Sequence, residues 1–137
     1  MELTIYSDGA SRNNPGEAGA GIFIMRDGAH FEGIARYLGM TTNNIAEYSA
    51  AIIGLERAVQ LGAKSVKLFA DSELMVKQLN GLYKVKNEGL KPLHAKARGL
   101  INRIGNVEVR YIPREQNKEA DALANRAIDE KIVVSTK

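Results

Sequence analysis

The chain has 137 residues, of which 45% are apolar, and it contains no cysteine. This length suits one domain with its own core, so we expect residues 1–137 to form a single domain, and the lack of cysteine excludes disulfides and thiolate metal sites. The net charge is +3 and the pI is near 9.2, a positive excess too small to identify a partner. A positive charge nevertheless favours a phosphate-rich partner.

The sequence has no apolar stretch near the roughly 20 residues that a membrane span needs. Its N-terminus enters an alternating run directly, without the basic and apolar regions of a signal peptide. We therefore expect no membrane contact and a cytoplasmic location.

The first third of the chain predicts three consecutive β-strands. The alternating run 3–7 should deliver Asp8 at the end of a strand, where Asp8-Gly9 is expected to turn the chain. Two further strand-like stretches, 18–25 and 30–38, are separated by a turn signal. Three successive strands favour an antiparallel meander.

The rest of the chain predicts helices and strands in alternation. Helical spacing begins after Asn44, the expected N-cap, because Glu47 follows three residues later as in a capping box. A strand over 66–70 then ends at Asp71. The remaining elements are a helix over 72–79, a helix over 92–104, a strand over 107–112 and a helix that starts near Asn117 and contains Asp121. The β-branched run 132–134 is left open as an edge strand, a docked segment or a frayed end.

This order of elements predicts an α/β fold. A mixed five-stranded sheet would combine three antiparallel strands with parallel strands that are connected through helices, and the helices would cover its faces. Sites in such sheets lie beyond the carboxyl ends of the strands. Asp8 and Asp71 are both predicted there.

Four acidic residues are candidates for one shared site, although each also has a structural explanation. Asp8 suits a turn, Asp71 an N-cap, Glu47 a capping box and Asp121 the first turn of a helix. These explanations do not account for the direction in which the helical acids face. Glu47 heads a column of small residues suited to packing on a sheet, and Asp121 borders the apolar seam of the last helix.

Carboxylates that converge in this way repel one another and raise one another's pKa unless cations neutralise them. Hard oxygen ligands without histidine or cysteine select Mg²⁺ or Mn²⁺ over zinc. Two such ions are a known device for phosphodiester displacement. The residues therefore predict a site for Mg²⁺ or Mn²⁺ that suits phosphoryl transfer.

Four short motifs carry a family resemblance. They are Tyr6-Ser7-Asp8-Gly9-Ala10, Thr41-Thr42-Asn43-Asn44-Ile45-Ala46-Glu47, Ala70-Asp71-Ser72 and Glu119-Ala120-Asp121-Ala122-Leu123-Ala124. In this order they resemble the type 1 ribonuclease H family over essentially the whole chain. The resemblance implies a ribonuclease H-like fold and a monomeric endonuclease that cuts the RNA strand of RNA/DNA hybrids, leaving 5′-phosphate and 3′-hydroxyl ends. It also implies removal of RNA primers and R-loops, with double-stranded RNA as a side substrate.

The resemblance further implies roles for the four acids. Asp8 would bridge two metal ions, Glu47 and Asp71 would bind one of them, and Asp121 would bind the other near the attacking water. One ion would activate the water and the other would stabilise the leaving 3′ oxygen.

Substrate contacts are implied in the same way. Asn43 and Asn44 would reach base edges and sugars in the minor groove, while Thr42 and the backbone from Gly9 to Asn13 would hold phosphates. The alternative makes Asn43 or Asn44 a helix cap and leaves Thr42 and Asn13 as ordinary loop residues.

The chain departs from the family pattern in three places. Many members carry a histidine in the loop before the last aspartate, whereas residues 112–117 have none. Arg114 or Glu115 is the candidate substitute, Arg114 through the scissile phosphate, against the alternative of an exposed arginine with no role. A long basic, tryptophan-containing insertion is absent, although residues 83–103 carry excess positive charge that is suited either to phosphates or to a plain solvated face. Met40 stands where some relatives have a basic phosphate contact.

Three rival functions stay open at this stage. The first is a non-catalytic hybrid-binding module, the second is a related nuclease with another substrate, and the third is an α/β interaction domain without a nucleic-acid role. The last of these requires the four acids to lie far apart, so the fold distinguishes it.

Overall fold

The computed structural model describes residues 1–136, so Lys137, the last residue of the predicted domain, lies outside the described residues. The strands are β1 (Glu2–Ser11), β2 (Gly16–Arg26), β3 (Ala29–Thr41), β4 (Ser65–Ala70), β5 (Asn106–Tyr111) and β6 (Val133–Thr136). The helices are α1 (Asn43–Gln60), α2 (Glu73–Leu79), α3 (Lys91–Ile104) and α4 (Lys118–Glu130), with a short 3₁₀ turn at Arg114–Gln116.

The strands form one mixed sheet in the order β5-β4-β1-β2-β3-β6. The pairs β1–β2, β2–β3 and β3–β6 are antiparallel, whereas β1–β4 and β4–β5 are parallel. The predicted α/β architecture is confirmed, but the predicted number of five strands is wrong. The terminal run forms a sixth strand, in which Val133 pairs with Arg36 and Thr136 pairs with Gly33.

The first strand is longer than the sequence predicts, and it passes through Asp8 without turning. β1 continues through Gly9 to Ser11 because these residues keep antiparallel partners on β2. The parallel pairing with β4 ends one residue before Asp8 and Asp71. Both aspartates therefore follow the last parallel pair at the same edge of the sheet, although the predicted Asp8-Gly9 turn is wrong.

Helix α1 begins one residue after Thr42, which is its N-cap. The Thr42 backbone is extended, with φ −89° and ψ 163°, and its hydroxyl oxygen accepts a hydrogen bond from the backbone N–H of Ile45 at 3.3 Å. The predicted N-cap, Asn44, lies inside the helix instead. The small residues that follow Glu47 on the same helix side are buried, as the column predicts: Ala51, Gly54 and Ala58.

Two helices lie against opposite faces of the sheet. A Cβ atom on Gly54 of α1 would lie 3.4 Å from Ile22, while one on Gly21 would lie 2.0 Å from the carbonyl oxygen of Ala120 on α4. Neighbouring residues of a strand point to opposite faces of the sheet. Because Ile22 faces α1 and Gly21 faces α4, the two helices lie on opposite faces. None of the helices within residues 1–136 has the length and apolar character that crossing a bilayer would need.

Close approach of backbones sets the position of both helices. A Cβ atom on Gly9 would lie 2.1 Å from the carbonyl carbon of Ala46, so only glycine lets the start of α1 lie directly on β1. Gly21 plays the same part beneath α4. The two helices that carry Glu47 and Asp121 are therefore held at backbone contact distance from the sheet.

Candidate active site

Three of the predicted acids come together at the edge of the sheet. Asp8 lies on β1, Glu47 just after the first turn of α1 and Asp71 directly after β4. One carboxylate oxygen from each residue lies within 4.8 Å of the others. Asp8 and Glu47 are only 5% and 8% exposed. Dispersed capping acids, as a plain interaction domain would have, are excluded by this geometry.

Asp121 stands at the rim of this group, in the first turn of α4. It is close enough to Asp8 to interact with its carboxyl group, but it is not among the three residues within 4.8 Å. Its side chain is 31% exposed, as its place beside the apolar seam predicts. Oδ1 of Asp121 accepts a hydrogen bond from the side chain of Asn125 at 3.3 Å and lies 3.5 Å from the guanidinium of Arg114.

Glu47 has one carboxylate oxygen bound and one without a partner. Oε1 accepts a hydrogen bond from the backbone N–H of Gly9 at 3.0 Å, which ties α1 to β1. Oε2 is buried and has no hydrogen-bond partner within residues 1–136. The capping-box interpretation is wrong, because the bonded oxygen serves β1 and the helix start is capped by Thr42.

Asp71 is also held by one oxygen. The N-cap of α2 is Ser72, whose hydroxyl accepts from the backbone N–H of Met75 at 3.3 Å, so Asp71 does not cap that helix. Oδ2 of Asp71 accepts instead from the side-chain amide of Asn117 at 3.2 Å. The same amide donates to the carbonyl oxygen of Ser7 at 2.9 Å.

Sequence reasoning missed this role of Asn117. An asparagine directly before a helix predicts an N-cap, and Asn117 does precede α4, but it makes no side-chain cap bond. It is fully buried and points at the acid group instead.

The crowding of the acids raises their proton affinity. Burial, followed by the negative charges of Glu47 and Asp71, raises the pKa of Asp8 to about 10. Burial and the charge of Asp71 raise the pKa of Glu47 to about 8, against the lowering effect of hydrogen bonds from Asp8 and Gly9 and of the Arg114 charge. Without cations, the three acids therefore reduce their mutual repulsion by binding protons. Bound cations would neutralise the same charge in place of those protons.

The donor set fits a hard divalent cation. It consists of carboxylate oxygens alone, and the unpartnered Oε2 of Glu47 is a buried acceptor that a cation would satisfy. Nitrogen and sulfur ligands are absent from this group. Oxygen-only ligands favour Mg²⁺ or Mn²⁺ over zinc.

The predicted substrate residues other than Asn13 line two neighbouring depressions. The first, of about 350 Å³, contains the three acids together with Gly9, Ala10, Ser11, Asn43 and Arg114. The second, of about 400 Å³, is lined by Thr42 and Asn44 together with Asn14, Ile45, Asn87 and Leu90. Asn13 lines neither of them and has a left-handed backbone with φ 65°. Asn14 and Asn87 carried no signal in the sequence, since each is a single amide in a polar loop.

The end of β1 and the loop that follows it bind the start of α1. The backbone N–H of Ser11 donates to Oδ1 of Asn43 at 2.8 Å, and the backbone N–H of Asn43 donates to Oδ1 of Asn14 at 2.9 Å. Because Thr42 caps α1, the capping alternative for Asn43 and Asn44 is wrong. Their predicted contacts with a substrate stay a prediction.

The departures from the family pattern are visible in the structure. Arg114 is 77% exposed at the mouth of the acid cavity. His30 stacks on Phe23 and His94 contacts the carbonyl oxygen of Gln78, so neither lines that cavity. Met40 is exposed. Several cations of the basic stretch 83–103 are engaged within the chain: Lys91 with Glu88, Lys96 with Glu56 and Arg98 with the carbonyl oxygen of Leu79.

Comparison with known proteins places this geometry in a family. Residues 6–127 match the family model described as "Reverse transcriptase-like". The bifunctional protein Rv2228c of Mycobacterium tuberculosis is 39% identical over 132 residues, covering 94% of this chain but 36% of that protein. The chain thus spans about a third of the length of this curated relative.

Two solved structures are similar over nearly their full length. The RNase H1 of the archaeon Halobacterium salinarum is 37% identical with a TM-score of 0.91, and the match covers 95% of this chain and 99% of that one. LC11-RNase H1, solved in complex with an RNA/DNA hybrid, is 41% identical with a TM-score of 0.89, covering 94% and 98%. With its carboxylates gathered on the same mixed sheet, the chain belongs to the type 1 ribonuclease H family of hydrolases.

Proposed function

We propose that this chain is an endoribonuclease that hydrolyses the RNA strand of RNA/DNA hybrids. The observation that carries the proposal is the convergence of Asp8, Glu47 and Asp71 within 4.8 Å beside an open, polar cavity. The relative solved with a bound RNA/DNA hybrid supports the choice of substrate.

The proposal assigns two divalent ions to the acid group. Asp8, Glu47 and Asp71 would hold one ion, and Asp8 together with Asp121 would hold the other. When bound, such ions activate a water molecule and stabilise the charge on the leaving oxygen. Mg²⁺ is the proposed ion, with Mn²⁺ as a substitute, because the ligands are hard oxygen atoms.

The chain's own residues hold the ligands in place before substrate arrives. The N–H of Gly9 fixes one oxygen of Glu47, and the amide of Asn117 fixes one oxygen of Asp71. The second oxygen of each carboxylate stays available to the group. Outer hydrogen bonds of this kind orient metal ligands and limit the reorganisation that the reaction requires.

In the proposed reaction, a water oxygen bonds to the phosphorus atom and the bond from phosphorus to the 3′ oxygen breaks. One proton of the water passes to solvent or a nearby base, and the 3′ oxygen takes up a proton. The products are a 5′-phosphate and a 3′-hydroxyl.

Arg114 is the proposed substitute for the loop histidine of other members. Its exposed guanidinium lies at the cavity mouth, 3.5 Å from Asp121, where it would bind the scissile phosphate. Glu115, the other candidate, does not line the acid cavity.

Recognition of the duplex is assigned to the two depressions. Asn43 in the first, and Thr42 and Asn44 in the second, would contact sugars, base edges and phosphates along the minor groove. Amides and hydroxyls read shape and the 2′-hydroxyl without demanding a base sequence. The backbone of Gly9 and the loop that holds Asn13 would contact neighbouring phosphates.

The test incubates end-labelled RNA/DNA, RNA/RNA and DNA/DNA duplexes with the chain in Mg²⁺, Mn²⁺ or a chelator. We expect cleavage of the hybrid RNA with either metal and none in chelator. Asp71→Asn should abolish cleavage and keep hybrid binding, while Asp27→Asn, an exposed turn acid, is the control. Equal cleavage of all three duplexes, or normal turnover by Asp71→Asn, would refute the proposal. Slower cleavage of RNA/RNA would add the predicted side activity.

Removal of RNA primers and R-loops is the physiological role proposed from this activity. A monomeric state, a cytoplasmic location and a single domain over residues 1–137 stay predictions.

A further inference from the structure

Asp121 differs from Glu47 and Asp71 in how it is supported. Glu47 and Asp71 are fixed by groups at the sheet edge, whereas Asp121 lies on α4 at the exposed rim. The side-chain amide of Asn125, one helical turn further on, donates to Oδ1 of Asp121 at 3.3 Å and to its carbonyl oxygen at 3.0 Å.

The orientation of the Asn125 amide is fixed from its other end. Its Oδ1 accepts a hydrogen bond from the guanidinium of Arg12 at 3.2 Å. A reversed amide would set an N–H against that cation and a carbonyl oxygen against the Asp121 carboxylate, and both contacts would be repulsive. Arg12 therefore determines which end of Asn125 faces Asp121.

Arg12 itself belongs to the loop that follows β1. Its guanidinium also pairs with Asp129 at 2.6 Å, and its backbone N–H donates to the carbonyl oxygen of Glu17 at 2.9 Å. The neighbouring Ser11 is hydrogen-bonded to Asn43 at the start of α1. One loop thus connects the predicted duplex-binding asparagine with the support of Asp121.

We propose that Arg12 and Asn125 are positioning residues that hold the Asp121 carboxylate toward Asp8. Asn125 occupies Oδ1 of Asp121 and leaves its other oxygen for the acid group. The bridge from Arg12 joins α4 to the end of β1, so that the rim acid keeps a fixed place relative to Asp8. This inference rests on the proposed function, because it assigns these residues to the same metal-dependent reaction.

A merely structural role makes a different prediction. Arg12 and Asp129 are both well exposed, and surface ion pairs contribute little stability. If the bridge only tethered the loop, removing it would lower stability slightly and leave the reaction unchanged. Outer contacts of metal ligands have a larger effect, since losing them costs about 10–100-fold in metal affinity or activity.

The experiment compares Asn125→Ala, Arg12→Ala and the double variant with the wild-type chain. We expect kcat to fall about tenfold or more in each single variant and the half-saturating Mg²⁺ concentration to rise, while KM for the hybrid changes about twofold or less. The double variant should lose no more than the stronger single variant, because the residues act as one unit. Arg126→Ala, which removes an exposed ion pair with Glu130 on the same helix, is the matched control.

Asn125→Asp separates the two roles most sharply. An aspartate keeps the contact with Arg12 and strengthens it, but it replaces the N–H that faces Asp121 with a like charge. A positioning role therefore predicts a loss in kcat at least as large as that of Asn125→Ala. Normal kcat in Asn125→Asp, or a kcat within about twofold of wild type in both single alanine variants, would overturn the proposal.

A measurement without substrate separates this proposal from the proposed function. Calorimetric titration of the free chain with Mn²⁺ should show affinity about tenfold weaker in Asn125→Ala and Arg12→Ala, and unchanged in Arg126→Ala. If the wild-type chain cleaves no hybrid, the proposed function fails and this titration alone decides the positioning role. Equal Mn²⁺ affinity in all four proteins would then refute it.

Discussion

Replacing Asp8 with asparagine should change how the stability of the metal-free chain depends on pH. Burial and the charges of Glu47 and Asp71 raise the pKa of Asp8 to about 10, far above the 3.8 of an unperturbed aspartate. Between these two values the folded chain binds one proton that the unfolded chain has released. Folding stability is then greatest at acidic pH and falls as the pH rises toward the folded pKa.

The magnitude follows from this one excess proton. Each pH unit within the window lowers the free energy of unfolding by about 1.4 kcal/mol per proton. Between pH 6 and pH 8 the contribution of Asp8 is therefore about 2–3 kcal/mol. The asparagine side chain of the Asp8→Asn variant cannot titrate, and its amide can donate to the unpartnered Oε2 of Glu47. Glu47, whose pKa is raised to about 8, still contributes to the pH dependence of the variant.

Urea unfolding in chelator at pH 6 and pH 8 measures this difference. The wild-type chain should lose about 2–3 kcal/mol more than Asp8→Asn over that range. Asp27→Asn, at an exposed turn position with φ 49° that asparagine tolerates, should follow the wild type. Mg²⁺ should stabilise the wild type more at pH 8 than at pH 6, because the ion displaces bound protons. Parallel pH profiles for wild type and Asp8→Asn would refute the argument that these acids are crowded and buried.

Three further predictions concern the groove, a buried ion pair and a helix contact. Replacing Asn43 and Asn44 together with alanine should remove two predicted hydrogen bonds to the hybrid, worth about 1–2 kcal/mol in total. Steady-state kinetics should then show KM for the hybrid raised about 5–30-fold and kcat little changed. An effect on melting temperature alone would contradict this prediction. Arg57→Ala should destabilise the chain by about 2 kcal/mol in urea unfolding, because it removes the guanidinium that lies 2.7 Å from the buried Glu32, while the hydroxyl of Ser135 still donates to that carboxylate. A loss below about 1 kcal/mol would show that solvent replaces the contact with Arg57. Gly21→Ala should lower the free energy of unfolding by about 3 kcal/mol or more and reduce cleavage, because its Cβ would lie 2.0 Å from the α4 backbone. A normal melting temperature of this variant would contradict the close contact.

The sequence was sufficient to predict the meeting of the acids. Asp8 and Asp71 follow alternating runs that become parallel neighbours, so their meeting depends only on strand order and direction. Glu47 heads one buried helix side and Asp121 borders another, and that periodicity is a local property. Patterns of this kind survive errors in the exact bounds of an element.

What the sequence could not predict depends on contacts between distant residues. The signal for a turn at Asp8-Gly9 is local, but β2 offers backbone partners up to Ser11, and those hydrogen bonds extend the strand. Asn117 looks like a helix cap because it directly precedes α4. Its actual partners, Ser7 and Asp71, lie far away in the chain, so no local pattern indicates them. The sixth strand likewise needs the open edge of β3, which a short terminal run does not reveal.

The contact between Gly9 and Ala46 sets a dimension of the site as well as a packing arrangement. A single methyl group at this position would push the first turn of α1 outward by about an ångström, since its carbon would lie 2.1 Å from the Ala46 carbonyl carbon. Coordination lengths around a bound cation tolerate only about 0.2 Å of error. The lack of a side chain at Gly9 thus sets the distance between the acids on β1 and α1. We expect any larger residue at this position to abolish the proposed metal-dependent cleavage.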